Sequence, residues 1–556
     1  MKPARKICCL LAASALTVAS LSVSSCSGSE EIKREEQEIT RPPEYLQLLQ
    51  IYRADEALIS AGLYSLSTIL TFSQSSLTVS TGKLMIYDRE DKGRPSLYLS
   101  GGYWVVGGNK TLIPDTKGKT LEESYPVYLY IYDHTLWIYA SNGEEIRFRY
   151  EGEKDEYDEE SDMSVPPVAK SYEMCTLMLT HHSDRIHRNS WIDADFQFTD
   201  PDRRWSKEAT LKGSLQIKGR GQSTWGMEKK PYKLKLYEKS KVLGMRSNKD
   251  WVLLANYSDK SLLRNATAMV ISRMLEMPWT PAHRPVEVYI NNEYQGLYDL
   301  FEEREVAKKK VEIDLAAGEW YIEVESSECQ WSTAICGVPL KVREPETYSD
   351  QQLNSLKEFF NNFEKALYST SFENPNTGYA RFIDINSFID NYILEELAKD
   401  IDGNVRKSNF LTIENDTGKL RFYHCWDFDI SFGNCNYFPS AVGNDYSGWY
   451  IKDYNSASVK GNGWYPRLFS DPAFVAKVKA RWNEVYPLLK VVPGYIDCYY
   501  QENREAADRN FQKWTILGYA VWPNVAIPGT YKGEVDYLKN FYNNRLEWLN
   551  RNINKL

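Results

Sequence analysis

The sequence lacks an excess of positive charge, and its 556 residues carry a formal net charge of −9 at pH 7. A chain without a general basic surface is not expected to bind nucleic acid. No CxxC pair occurs among the nine cysteines, which argues against a structural zinc site. Six cysteines follow residue 26, too few for a disulfide scaffold. We expect them to be mostly buried free thiols, although Cys329 and Cys336 are close enough in sequence to form one disulfide.

Long apolar runs are also missing, apart from one at the N-terminus. There, residues 7–23 follow three basic residues and are shorter than the roughly 20 residues that span a bilayer. The sequence Val-Ser-Ser-Cys that ends at Cys26 resembles a lipobox, so we predict a lipoprotein signal peptide over 1–25 and lipidation of Cys26. Residues 27–31 resemble the acidic export signal of Bacteroidetes surface lipoproteins. The expected location is therefore the cell envelope, with a lipid anchor on the outer-membrane surface; an ordinary cleaved signal peptide is the alternative.

Composition changes along the chain predict four further segments. Residues 26–44 are polar and charged, as in a flexible tether. Residues 45–150 contain short alternating runs separated by turn residues, which predict a small all-β module rich in Tyr and Trp. Residues 151–169 form an acidic linker that includes two adjacent prolines. The remaining part, 170–556, contains strand-like runs first and helical runs later, which predicts an α+β domain.

Several local signals support this α+β prediction. The pair Asn291-Asn292 is typical of a hairpin turn between two strands. Apolar spacing predicts helices over 262–277 and 352–368. A third helix is predicted over 388–398, with Ser387 as its N-cap.

Two carboxylates stand close together in Trp426-Asp427-Phe428-Asp429. In an extended segment, Asp427 and Asp429 would share one face while Trp426 and Phe428 pack on the other. Neighbouring carboxylates repel each other unless a cation lies between them, and hard oxygen ligands favour Mg²⁺ or Mn²⁺ over zinc. Two solvated aspartates on a surface turn are the alternative.

The preceding segment favours the metal site. Asp402, Asn409 and Asp427 follow one another in the order that kinases use for the catalytic base, a metal-binding Asn and the main metal ligand. The spacing from Asp402 to Asn409 is longer than in protein kinases. Asp400 is a rival for the role of base, and a turn residue is the structural alternative for Asp402.

A glycine-containing loop supplies an anion-binding candidate. Lys218-Gly219-Arg220-Gly221-Gln222-Ser223-Thr224 brings backbone N–H groups and a guanidinium together, without the spacing of a Walker or GxGxxG loop. The strand that follows alternates lysines with apolar residues, which is also typical of a basic edge strand. The pattern does not choose among Lys230, Lys233 and Lys235 as the lysine that contacts phosphate.

Taken together, these motifs resemble the CotH family, the spore-coat-protein-H-like atypical protein kinases. The resemblance covers roughly residues 170–556, and its matching segments are collinear. They are residues 217–236, 250–266, 286–303, 387–403, 408–434 and 538–553.

The resemblance implies a two-lobed kinase-like fold, ATP with Mg²⁺ or Mn²⁺, and phosphoryl transfer to Ser or Thr of an exported acceptor protein. Asp259 and Arg264 would organise a helix of the first lobe, or form a structural salt bridge. The roles implied for the site are Asp402 as base, Asn409, Asp427 and Asp429 as metal ligands, and Arg220, Ser223, Lys230, Lys233 and Glu302 as nucleotide-binding residues, with Glu302 at the start of the hinge.

Two other functions remain open from the sequence. A surface location lacks a ready supply of ATP, and the aromatic β module suits contacts with a glycan or a protein. The alternative is therefore a catalytically silent lipoprotein that acts as a binding scaffold. A nuclease or phosphatase would need a second metal cluster, and the sequence offers no candidate for one.

Overall fold

A computed structural model describes most of the chain after residue 170. The signal peptide, Cys26, the tether and most of the acidic linker lie outside the described residues. Contacts divide the chain into two units, Met1–Pro167 and Val168–Leu556. In the first part of the chain, the structure describes ten strands between Gln50 and Tyr150. After these strands it describes residues 163, 166–167, 169, 171–414, 418–436, 445–455, 459–460 and 463–556.

Apart from residues 163 and 166–167, the first unit is described only through its strands. They fall within residues 45–150, where the sequence predicts an all-β module, and that module stays a prediction. The strands are β1 Gln50–Ala54, β2 Leu70–Phe72, β3 Ser76–Val79, β4 Lys83–Tyr87, β5 Pro95–Ser100, β6 Tyr103–Val106, β7 Thr111–Pro114, β8 Val127–Tyr132, β9 Thr135–Ala140 and β10 Glu145–Tyr150.

The second unit is mixed α+β, as the sequence predicts. Its described strands are β11 Thr176–Thr180, β12 Ile192–Thr199, β13 Thr210–Gly219, β14 Tyr232–Ser240, β15 Asn248–Leu254, β16 His283–Ile290, β17 Glu293–Glu302, β18 Trp320–Glu325, β19 Trp331–Ser332, β20 Pro339–Glu344, β21 Lys407–Glu414, β22 Lys419–His424, β23 Tyr454–Asn455 and β24 Val459–Lys460. Its described helices are α1 Arg264–Met274, α2 Asp350–Leu367, α3 Ile385–Ala398, α4 Trp464–Leu468, α5 Pro472–Leu489, α6 Val492–Lys513 and α7 Tyr531–Ile553.

Seven of these strands close into a barrel in the order β11-β12-β13-β14-β15-β17-β16. All neighbours are antiparallel except β11 and β16, whose parallel pairing closes the ring. Alternation places Tyr232, Leu234 and Leu236 inside, while the lysines between them face outward. The predicted hairpin turn between β16 and β17 is confirmed, because Asn291 and Asn292 both have positive φ, at 49° and 66°.

A second sheet and the helices complete the unit. The sheet has the order β19-β20-β18-β21-β22 and is antiparallel. Helix α2 begins with a capping box, in which Ser349 and Gln352 each satisfy the other's backbone N–H. The predicted cap of α3 is wrong, because α3 begins at Ile385 and its N-cap is Asp384, whose carboxylate accepts from Ser387 N–H.

All six cysteines that lie in the described residues are free thiols, so Cys329 and Cys336 do not form the disulfide considered from the sequence. Five of them are buried, and Cys329 is exposed. Within the same part of the chain, no helix has both the length and the apolar character needed to cross a membrane.

Candidate active site

A cleft of about 180 Å³ brings the barrel, the second sheet and the loop after β22 together. Its lining includes the glycine-containing loop that joins β13 to β14 and three of the predicted acidic residues. The lining residues that enter the argument are Arg220, Gly221, Ser223, Lys229, Asn265, Arg304, Glu323, Asp402, Asp427, Asp429 and Trp522.

The glycine loop keeps its shape because side chains of the same segment pack against its two glycines. A Cβ atom at Gly219 would lie 2.2 Å from the Trp225 ring. At Gly221, where φ is +79°, it would lie 2.0 Å from Thr224 Oγ1. Neither position therefore tolerates a side chain, and Gly221 also needs the backbone freedom that glycine provides. The predicted residues Arg220 and Ser223 both line the cleft.

Two guanidinium groups lie close to the ring of Trp426, which lines the cleft. Arg304 is centred 4.5 Å from this ring, and Arg220 is centred 5.9 Å from it. Burial lowers the pKa of Arg220, while the carboxylate of Asp427 opposes this shift. Arg304 also forms an ion pair with Glu323, at 3.6 Å. This part of the cleft thus presents fixed positive charge beside the acidic segment.

The segment Asp427–Asp429 is held by its backbone. Asp427 has a φ of +72°, a left-handed conformation that Asp adopts more readily than most residues. Phe428 N–H donates to Asn265 Oδ1 of helix α1, at 2.8 Å, and the Phe428 side chain is fully buried. Both aspartates line the cleft. The predicted arrangement is present only in part: Phe428 packs inward, but Trp426 lines the same cleft as the two aspartates, and the segment is a loop rather than a strand.

Carboxylates are crowded around Asp429. Burial raises the pKa of Asp429 well above its usual range, and Asp427, Asp259 and Asp402 raise it further. Arg220 opposes the shift, and Arg304 is a second cation close to Asp427. The crowding of carboxylates fits a divalent cation at the cleft, since a cation would relieve the repulsion that raises the pKa of Asp429.

The set of protein metal ligands is small. No group of three or more His, Cys, Asp or Glu side chains with metal-binding geometry occurs in the described part of the chain. Asp427 and Asp429 are two carboxylates, and Mg²⁺ commonly uses one or two carboxylates together with substrate phosphates and water. The donor set present thus suits a metal that arrives with a nucleotide rather than one enclosed by the protein.

Asp402 lines the cleft on a loop that follows helix α3. Its backbone N–H donates to Asp400 Oδ1 at 3.3 Å, and its carboxylate lies 3.6 Å from Arg406. Asp402 keeps about a quarter of its side chain exposed, whereas Asp400 is 1% exposed. Of the two rivals for the role of base, only Asp402 therefore has a carboxylate that faces the cleft.

Asn409 lies beneath this loop instead of in the cleft. Its amide oxygen, the atom that would bind metal, accepts from Val405 N–H at 2.9 Å. Its amide nitrogen donates to Glu395 Oε1 at 2.7 Å, and the residue is 1% exposed. The structure thus places Asn409 in a supporting role and does not bring it together with Asp427 and Asp429.

Three of the residues predicted to bind the nucleotide, Lys230, Lys233 and Glu302, are also absent from the lining of the cleft. Lys230 Nζ donates to Trp225 O at 2.8 Å, and Lys233 pairs with Glu303 at 3.0 Å. Glu302 is fully buried, where it pairs with Arg246 at 2.8 Å and accepts from Ala282 N–H. Arg264 is also buried, and it donates to Asp259 Oδ1 at 2.5 Å. This contact fits the alternative given above for the two residues, a structural salt bridge.

Two lysines line the cleft, Lys229 and Lys407, and neither is among the lysines that the sequence analysis singles out. Lys229 Nζ donates to Leu297 O at 2.5 Å and to Asn510 Oδ1 at 2.9 Å. Burial lowers the pKa of Lys229 to about 7. Asn265 and Arg304 are also absent from the sequence prediction. Asn265 lies inside the matching segment 250–266, and Arg304 directly follows the matching segment 286–303.

A glycine loop that faces acidic residues across a cleft, in an α+β fold, is an arrangement suited to phosphoryl transfer. The family model described as "CotH kinase protein" matches residues 217–549. The chain therefore belongs to the CotH kinase family, as its motifs predict, and this membership suggests a kinase-like function and the use of ATP. It does not favour the alternative of a silent binding scaffold. No curated protein matches the chain.

Proposed function

We propose that this protein is an atypical kinase that transfers the terminal phosphoryl group of ATP to a Ser or Thr hydroxyl of an exported protein. The observation that carries the proposal is the convergence of Asp402, Asp427 and Asp429 with Arg220 in one cleft. Family membership supports the same chemistry. In this proposal the barrel and the helical part act as the two lobes of a kinase.

The glycine loop and Arg220 would hold phosphate oxygens, because a guanidinium and closely approaching backbone N–H groups both recognise them. Asp427 and Asp429 would bind Mg²⁺ or Mn²⁺. ATP supplies the phosphoryl group, and the metal supplies positive charge that stabilises it during transfer. The left-handed backbone at Asp427 and the bond from Phe428 N–H to Asn265 keep the two carboxylates in place before any ligand binds.

Asp402 would orient the acceptor hydroxyl and accept its proton. Its partial exposure gives a hydroxyl access, and the bond from its N–H to Asp400 fixes its loop. Arg406 lies 3.6 Å from this carboxylate and helps to hold its orientation. We further propose that the enzyme works in the cell envelope, anchored through a lipid on Cys26.

Substitution of Asp427 by Asn tests the proposal. We expect phosphoryl transfer from ATP to fall by about 100-fold or more, because the variant loses a fixed charge at the reacting group. The purified chain would be incubated with labelled ATP, Mn²⁺ and a panel of acceptor proteins. Mn²⁺ affinity would be measured in parallel by calorimetry, and it should weaken in the variant.

Asp184→Asn is the matched control, since Asp184 is exposed and does not line the cleft. It should transfer phosphate at the rate of the unaltered chain. Equal incorporation by Asp427→Asn and the control would contradict the proposal, as would a complete lack of transfer by the unaltered chain to every acceptor.

A further inference from the structure

The loop between α6 and α7, residues 514–530, exposes large apolar side chains. Among the described residues, its Trp522, Tyr519 and Ile527 are the three most exposed large hydrophobics, at 53%, 51% and 49%. Single exposed apolar residues are common on protein surfaces, but three on one short loop are not. Trp522 also lines the cleft, together with Pro523.

This 514–530 loop is anchored by buried polar groups. Lys260, which is fully buried, donates from Nζ to Tyr519 O at 3.0 Å. Asn524, which is 5% exposed, donates from Nδ2 to Ser258 O at 2.7 Å, and its Oδ1 accepts from Val521 N–H. The loop therefore holds its apolar side chains in water in a fixed arrangement, which lowers the entropic cost of binding a partner there.

The loop is also connected to the acidic segment of the cleft. Asn524 Nδ2 donates to Asn434 Oδ1 at 2.8 Å, and Asn434 Nδ2 donates to Asp429 O at 2.9 Å. Two amide side chains thus tie the backbone beside Trp522 to the backbone of Asp429. Whatever binds against Trp522 is positioned relative to the carboxylates that we assign to the metal.

We propose that Trp522, with Tyr519 and Ile527, forms the docking site for the acceptor polypeptide and selects an apolar side chain next to the phosphorylated Ser or Thr. The inference rests on the proposed function. The phosphates would be held by the glycine loop and Arg220, and Trp522 lines the same cleft while about half of its surface stays exposed. The acceptor must reach Asp402 from solvent, and the exposed indole offers it an apolar contact on the way.

The test measures peptide phosphorylation by the unaltered chain and by Trp522→Ala, Trp522→Phe and Ile335→Ala. The probes are synthetic peptides with one central Ser or Thr, flanked by Gly, Leu, Phe or Asp. We expect the unaltered chain to prefer Leu and Phe flanks, and Trp522→Ala to raise KM for those peptides about tenfold. Trp522→Phe should restore most of the preference. Ile335 is 40% exposed and does not line the cleft, so Ile335→Ala should behave as the unaltered chain does.

Nucleotide affinity, measured by calorimetry on the same variants, separates the outcomes. An unchanged ATP affinity in Trp522→Ala together with the higher peptide KM supports the inference. Transfer without any flank preference, or a preference that Trp522→Ala retains, would overturn it while leaving the proposed function standing. A loss of ATP affinity in Trp522→Ala would also overturn it, because the indole would then bind the nucleotide. Absence of transfer to every peptide by the unaltered chain would overturn the proposed function and the inference with it.

Discussion

Two pairs of carboxylates lie close to the cleft, and their surroundings differ sharply. Asp427 and Asp429 line the cleft and share it with the guanidinium of Arg220. Glu395 and Asp400 lie beneath the Asp402 loop, and each is 1% exposed. Within the described residues, Glu395 Oε2 and Asp400 Oδ2 have no hydrogen-bond donor. The first pair is open to a ligand, and the second is closed to one.

The geometry around Gly403 shows how the closed pair is arranged. A Cβ atom on Gly403 would lie 2.0 Å from Glu395 Oε2 and 2.7 Å from Asp400 Oδ2, so both oxygens converge on the same point. Burial raises the pKa of Glu395 to about 7 and that of Asp400 well above its usual range. A proton held between the two oxygens would satisfy both of them. The comparison points to two ways of relieving repulsion between carboxylates here, a shared proton in the closed pair and, under the proposed function, a bound cation in the open pair.

The largest expected effect separates Asp402 from its rival Asp400. We expect Asp402→Asn to lower the rate of phosphoryl transfer about 100-fold or more, because the amide cannot accept the proton of the acceptor hydroxyl. Asp400→Asn should retain most of the rate, since an amide can replace a carboxyl that already carries a proton. Initial rates at saturating ATP would be compared for both variants. If the rate fell more in Asp400→Asn than in Asp402→Asn, the base would belong to the closed pair, and the contrast between an open and a closed pair would be wrong.

A smaller effect is expected from Gly403→Ala. The added methyl group would meet the two oxygens of the closed pair, and overpacking of this kind typically costs about 1–3 kcal/mol in the free energy of unfolding. Chemical denaturation would measure the loss. Gly518→Ala is the control, because nothing lies within 4 Å of a Cβ atom at that glycine. Equal stability of the two variants would mean that the closed pair is not packed as tightly as described.

The sequence predicted those features that depend on neighbouring residues. The alternation of Tyr232, Leu234 and Leu236 with lysines is local, and so is the hairpin at Asn291-Asn292. The glycine loop and the acidic segment are also evident from the sequence, because the residues that define each of them are neighbours in the chain. The α+β class and the family followed from several such motifs in order.

Contacts between distant residues limited the prediction of the site. Lys229 and Lys230 are adjacent, and the sequence gives no reason to choose Lys229; its Nζ is directed by Leu297 O and Asn510, 68 and 281 positions away. Asn409 suited a metal site by its order in the chain, but its amide is held by Glu395, 14 positions earlier. Lys229 and Asn409 are oriented by hydrogen bonds to residues distant in sequence, and a local sequence pattern carries no information about such bonds.

The smallest expected effect concerns the shared proton of the closed pair. The pKa of Glu395 is about 7 in the folded chain and near 4.5 when unfolded, so its stabilising proton is fully retained below pH 4.5 and lost as the pH rises through 7. Thermal unfolding of the unaltered chain should therefore shift to lower temperature between pH 5 and 8. In Glu395→Gln the amide replaces the protonated carboxyl, so this decline should be smaller. In a unit this large, each kcal/mol lost from the free energy of unfolding lowers the unfolding temperature by roughly 1 °C. Parallel curves for the two chains would show that the closed pair holds no proton, and its repulsion would then need another explanation.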